Sequence, residues 1–79
     1  MTYCVYIIYS KKLDKYYVGY TENITIRLEQ HNSGISSFTS KTDDWQLMYK
    51  EYFSSREKAM DREKEIKKKK SRKYIEYII

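Results

Sequence analysis

Five side chains of this sequence have types and spacings suited to handling an anion and a proton: Tyr6, Tyr17, Arg27, His31 and Glu63. An arginine fork grips an oxyanion through paired N–H donors. An imidazole gains or loses a proton near neutral pH, and a carboxylate is a ligand for hard cations. Each residue also has a plain structural role open to it. Tyrosines in a small β-rich domain mostly bury the ring and leave the hydroxyl wet. His31 near a helix C-terminus can interact with the helix dipole, and Glu63 can pair with Lys67 one turn on. Gly19 lies inside an apolar run, where glycine marks a bulge or a close backbone approach. What decides between these roles is whether the elements of the fold bring the five together.

Residues 2–10 (TYCVYIIYS) and 15–20 (KYYVGY) are β-branched and aromatic and read as two strands of a hairpin, with Lys11–Asp14 as its loop. An even-numbered loop pairs positions whose numbers sum to an odd value. That sets Cys4, Tyr6, Ile8, Tyr17 and Gly19 on one sheet face. The opposite face carries Tyr3, Val5, Ile7, Tyr9, Tyr16, Val18 and Tyr20, the more apolar set, and is the expected core. A helix is expected to start near Asn23, an acceptable N-cap, and to stop before Gly34. Ile24 and Leu28 form its apolar stripe, while Arg27 and His31 project together from the neighbouring one. Residues 32–44 are rich in Ser, Thr and Asp and read as a surface loop, followed by a third strand over 45–53. Ser54 and Glu57 have the spacing of a capping box opening a helix through Ala59, Met60, Glu63 and Ile66. Ser71 caps a last short helix with Tyr74, Ile75 and Ile78 turned inward. The order β-β-α-β-α-α predicts one α+β domain over residues 1–79, with a small three-stranded antiparallel sheet flanked by helices.

Seventy-nine residues leave room for one economical core, and ten Tyr, two Phe and one Trp supply much of its area. The single Cys4 excludes an internal disulfide and a cysteine-rich zinc cluster and fits a reducing cytoplasm. No apolar run approaches the roughly 20 residues of a membrane span, and no export signal is evident. A cytoplasmic protein without a membrane partner is expected. Net charge is +5, yet residues 64–73 (KEIKKKKSRK) alone hold seven Lys/Arg against one Glu, +6, leaving −1 for the rest. Such a block is either a solvated helix face or an electrostatic footprint for a polyanion. Composition leaves both open.

Taken in order, four segments resemble the GIY-YIG nuclease family over nearly the whole chain. They are Cys4-Val5-Tyr6, Tyr17-Val18-Gly19, the run from Thr21 and Asn23 through Arg27, His31, Asn32 and Gly34, and the SREKAMDREKEIK segment that starts at Ser55. The likeness is greatest to small stand-alone bacterial members related to the nuclease domain of the excision-repair subunit UvrC, so the resemblance implies DNA repair as one setting, beside mobile-element defence and DNA turnover. One departure is Cys4, which stands where the family has the first triplet's glycine. The resemblance implies a metal-dependent endonuclease that hydrolyses DNA with one Mg²⁺ or Mn²⁺ and no small-molecule cofactor. So small a domain is expected to select DNA by structure or single-strandedness rather than sequence, as a monomer or weak dimer. Glu63 would ligate the metal, with Asp61 and Glu65 as rivals on other faces of the helix. Arg27 would hold a phosphate oxygen, and Tyr6, helped by Tyr17, would take a proton from water, with His31 assisting. A tyrosine base starts from a pKa of roughly 10 and needs nearby positive charge; otherwise Tyr6 orients water and a metal-bound hydroxide is the base. Lys15, Lys67, Lys68, Lys69, Lys70, Arg72 and Lys73 would contact DNA. The competing reading is a nucleic-acid-binding module on the same fold without catalysis.

Overall fold

The hairpin forms between β1, Tyr3–Ser10, and β2, Lys15–Thr21, with the turn at Lys11–Asp14 between them. Asp14 takes a left-handed backbone conformation (φ 52°) to close that turn. Pairing runs Tyr6 opposite Gly19 and Ile8 opposite Tyr17, the register the loop parity requires. The computed structural model describes residues 2–34, 39–69 and 71–79. Beyond the hairpin come α1 (Ile24–Asn32), β3 (Gln46–Phe53), α2 (Arg56–Lys69) and α3 (Arg72–Ile78). The strand β3 pairs antiparallel with the other edge of β1, giving the order β2-β1-β3 and the α+β class expected from the sequence. Its register slips between Ile7, opposite Tyr49, and Ile8, opposite Leu47, so Met48 is the extra residue of a bulge.

The central strand explains one difference from expectation. Only one sheet face reads as core, yet both are covered. Val5, Ile7 and Val18 pack under Ala59 and Ile66 of α2, with Tyr74, Ile75 and Ile78 of α3 around them. Cys4, Tyr6 and Ile8 form a second cluster with Trp45, bordered by Ile24 and Leu28 of α1, Tyr17 and Leu47. Cys4 to Ile8 are all buried. A strand covered on both faces has no polar alternation to reveal its sides.

Caps fix the helix starts. Asn23 accepts the Ile26 N–H at 3.1 Å and is itself held by the Thr21 hydroxyl, so the Thr-x-Asn run is a helix entry. Ser71 caps α3 through the Tyr74 N–H. The cap of α2 is Ser55, whose hydroxyl accepts from the Lys58 N–H, and not Ser54. β3 continues to Phe53, which shifts the helix by one and puts Lys58 where a capping-box Glu would stand. The helix α3 is latched to the hairpin by Arg72. Its guanidinium donates to the Asp14 carboxylate (2.7 Å), the Asp14 carbonyl and Glu76, and lies over the rings of Tyr9 and Tyr16. Among the described residues no helix is long and apolar enough to cross a membrane.

Candidate active site

Tyr6 leaves the middle of the sheet and lies across Gly19 toward the β2 edge. A Cβ on Gly19 would sit 2.6 Å from the Tyr6 hydroxyl oxygen, 2.8 Å from its Cζ and 3.2 Å from Tyr17 Cε1. The β1–β2 register is continuous there. Of the two meanings open to this glycine, close approach is therefore the one realised. The hydroxyl is buried and needs a partner; it meets His31 Nε2 at 2.8 Å. The Tyr17 ring stands edge-on to the imidazole, 5.0 Å between centroids, and 6.4 Å from the Tyr6 ring.

His31 is fully buried in the last turn of α1, and its Nδ1 meets the Thr39 hydroxyl at 2.6 Å. Burial, with Arg27 nearby, lowers its pKa to about 4, so the imidazole is neutral at pH 7 and the helix dipole is not its employment. Thr39 is placed by a chain of contacts. The Trp45 indole N–H donates to the Thr39 carbonyl at 3.0 Å, and the Asn32 side chain binds both the N–H and the C=O of Trp45. Next door, Asp44 accepts from Ser10, Thr42 and the Lys12 N–H, which hold its carboxyl well below the usual range. Of these supports, sequence reasoning singled out only Asn32, without a role; Thr39 lies in what reads as a polar loop and carried no signal.

Arg27 sits one turn before His31, half-buried, with Gln30 as a neutral hydrogen-bond partner at 3.0 Å. Its positive charge acts on the Tyr6 hydroxyl and pulls that group's pKa down. Among the described residues no carboxylate forms an ion pair with it. Glu63 comes from α2 and is the carboxylate whose charge acts on Tyr6. Its side chain is 16% exposed and pairs with Lys67 at 3.6 Å. The rivals point elsewhere: Glu65 is exposed and pairs with Arg62, and Asp61 is exposed. The fold thus gathers Tyr6, Tyr17, Arg27, His31 and Glu63 at one end of the sheet's β2 edge.

Residues 2–75 match the GIY-YIG catalytic domain. The chain belongs to the GIY-YIG family. It is also similar to a UPF0213 protein of Staphylococcus haemolyticus, 44% identical over 64 residues covering 80% of this chain and 77% of that protein. A UPF0213 protein of Streptococcus pneumoniae is 38% identical over 80% of this chain and 65% of its own length. Among solved structures, the UPF0213 protein of Bacillus halodurans is 33% identical, with a TM-score of 0.60 over 99% of this chain and 82% of that one.

Two features of this GIY-YIG site bear on its chemistry. Burial outweighs the pull of Arg27 and raises the Tyr6 pKa to about 12, where a base working at neutral pH would need it depressed. The chain's own groups therefore keep Tyr6 a neutral phenol. Among the described residues no three potential ligands cluster into a metal site. One part-buried glutamate fits a hard divalent cation that keeps most of its waters and takes its other ligands from substrate.

The basic run does not act as one surface. Successive helical residues turn by about 100°. Lys67 lies 5.9 Å over the Tyr17 ring beside Glu63, Lys69 lies over Tyr74, and Lys68 and Lys73 are exposed. Lys15 is exposed on β2, Arg72 is engaged in its latch, and Lys70 lies outside the described residues.

Proposed function

We propose that this GIY-YIG domain is a divalent-metal-dependent endonuclease that hydrolyses DNA phosphodiester bonds, selecting single-stranded or branched DNA over sequence, in the cytoplasm. The observation that carries the reading is Arg27: a half-buried cation with no carboxylate partner among the described residues, set beside a buried neutral phenol–imidazole pair and one carboxylate. Such a cation awaits an anion, and a bridging phosphate supplies it. Glu63 would hold an Mg²⁺ or Mn²⁺ ion, which would polarise the phosphate and offset charge on the leaving oxygen.

The remaining steps fall to the chain's own side chains. Arg27 holds a nonbridging oxygen and stabilises the charge that grows on it. Tyr6 acts as a phenol. With Nδ1–H donating to Thr39, His31 Nε2 accepts the Tyr6 proton, and the phenolic oxygen keeps its lone pairs for the attacking water. As that water attacks phosphorus and the P–O bond to the leaving 3′ oxygen breaks, its proton moves to the Tyr6 oxygen while the phenol's own proton moves to Nε2, so no free phenolate is formed. The leaving oxygen departs with the bonding pair and takes its proton from solvent. Tyr17 packs against the imidazole and keeps bulk water from it.

The test is cleavage of labelled single-stranded, duplex and branched DNA by the purified chain with Mg²⁺ or Mn²⁺, beside Glu63→Gln. We expect cutting in the wild type and its loss in the variant, with DNA binding retained. Unchanged cutting by Glu63→Gln defeats the assignment, and binding without cutting under either metal supports the non-catalytic module instead.

A further inference from the structure

Beside the candidate active site, between the edge of β2 and the junction of α2 with α3, runs a groove of about 700 Å³. We propose that it is a nucleotide subsite that takes an unstacked nucleotide of the strand whose phosphate is held at Arg27 and Glu63. The inference rests on the nuclease reading of that neighbouring site and adds to it the form in which the DNA is bound.

Position is the first argument. Tyr17 and Lys67 line the groove and also border the site, Tyr17 through the His31 ring and Lys67 through its ion pair with Glu63. A strand leaving the phosphate at Arg27 meets these two residues next. Shape and chemistry are the second. The floor is apolar, made by Val18, Ile66 and Ile75, with the rings of Tyr16 and Tyr17 in its walls. Its volume lies within the roughly 300–1,000 Å³ of small-ligand sites. A duplex keeps its base faces stacked away from such a surface, whereas a splayed base offers a flat apolar face of matching kind. Charge is the third. Lys15 stands at the groove and forms no ion pair among the described residues, while Lys67 is shared with Glu63 and the charge of Arg72 is already met by Asp14 and Glu76. Lys15 therefore supplies the main attraction for the backbone that carries the base. The Arg72 latch has a separate consequence: it fixes α3 against the hairpin, so the groove is formed before any ligand arrives. Finally, β2 is an edge strand, so part of its backbone hydrogen-bonding capacity faces outward with no further strand among the described residues to pair.

Base stacking in such a site is worth about tenfold in affinity per base. The experiment uses the whole ¹⁵N-labelled chain in EDTA, so that nothing is cut, with dT10 and a 10-base-pair duplex as probes. We expect dT10 to bind about tenfold more tightly, to shift the amide signals of Val18, Ile66 and Ile75, and to lose affinity in Lys15→Glu. Equal affinity for the duplex, or shifts confined to the outward lysines Lys64 and Lys68, overturns the subsite. If cleavage needs Glu63 while the groove stays silent, the subsite falls and the nuclease reading stands. If neither probe binds and no DNA is cut with Mg²⁺ or Mn²⁺, both fall.

Discussion

Replacing Gly19 with alanine tests the geometry on which the site depends. The added methyl would lie 2.6 Å from the Tyr6 oxygen and 2.8 Å from Cζ, against an ordinary contact of roughly 3.5 Å. The ring must therefore retreat by about 1 Å. It is 1% exposed and bonded to His31 at 2.8 Å, so it cannot retreat without losing both packing and partner. Overpacking of this kind costs about 1–3 kcal/mol, and a buried polar group left unpaired costs about 1–3 kcal/mol more. The stiffer unfolded chain of the alanine variant returns about 0.5–1 kcal/mol. The net destabilisation is about 1–5 kcal/mol, centred on about 3 kcal/mol. For a domain of this size about 3 kcal/mol lowers Tm by roughly 12–24 °C.

Thermal and urea unfolding of Gly19→Ala measure the loss, and a cycle with Tyr6→Phe assigns it. Removing the hydroxyl removes the 2.6 Å contact but leaves the one to Cζ, so alanine should cost about 1 kcal/mol less in the Phe background. A change under about 0.5 kcal/mol, identical in both backgrounds, would refute the close approach.

Three further outcomes follow from the imidazole. His31 is the single histidine, so its ring proton signal titrates without overlap. It should stay neutral down to about pH 4, and a midpoint near 6.5 would refute its burial against Tyr6 and Thr39. Because the folded pKa lies below the unfolded one, the proton binds the unfolded chain first. The stability is whole above about pH 6.5 and falls by about 3 kcal/mol as the pH drops to 4 and below. Thr39→Val removes the Nδ1 partner at an expected cost of about 1–2 kcal/mol. It should also shift the pH profile of cleavage, and Thr39→Ser should restore both; a valine variant with wild-type stability and profile would exclude Thr39 from positioning the ring.

Much of this arrangement was legible because parity and spacing are strict. A four-residue loop leaves one register, and that register puts Tyr6 over Gly19 and Tyr17 beside it. A four-residue step on a helix leaves Arg27 and His31 on one side. What could not be read depends on contacts between distant segments. Cys4 to Ile8 look the same whether one face is covered or two, so the second core waits on α1 and Trp45. Thr39 reads as one polar loop residue among many, and only the Asn32–Trp45 clasp gives it an address. The Lys-rich run reads as one patch, although helix geometry and the Arg72 latch divide its described members among the border of the site, a ring contact, a latch and open solvent.

The direction of the Tyr6 shift joins these points. A phenol meant to serve as a free base would sit where positive charge outweighs burial, and this one sits in the central strand, where burial wins. Its fixed hydrogen bond runs to an imidazole that burial also keeps neutral. Two neutral groups joined at 2.8 Å can pass a proton along without either holding a charge for long, at a place where Arg27 would oppose a lasting imidazolium. Bound phosphate would offset that opposition, since its negative charge would lie against the same guanidinium. The site's readiness to move a proton would then depend on the presence of its anion, which ties the chemical step to substrate binding.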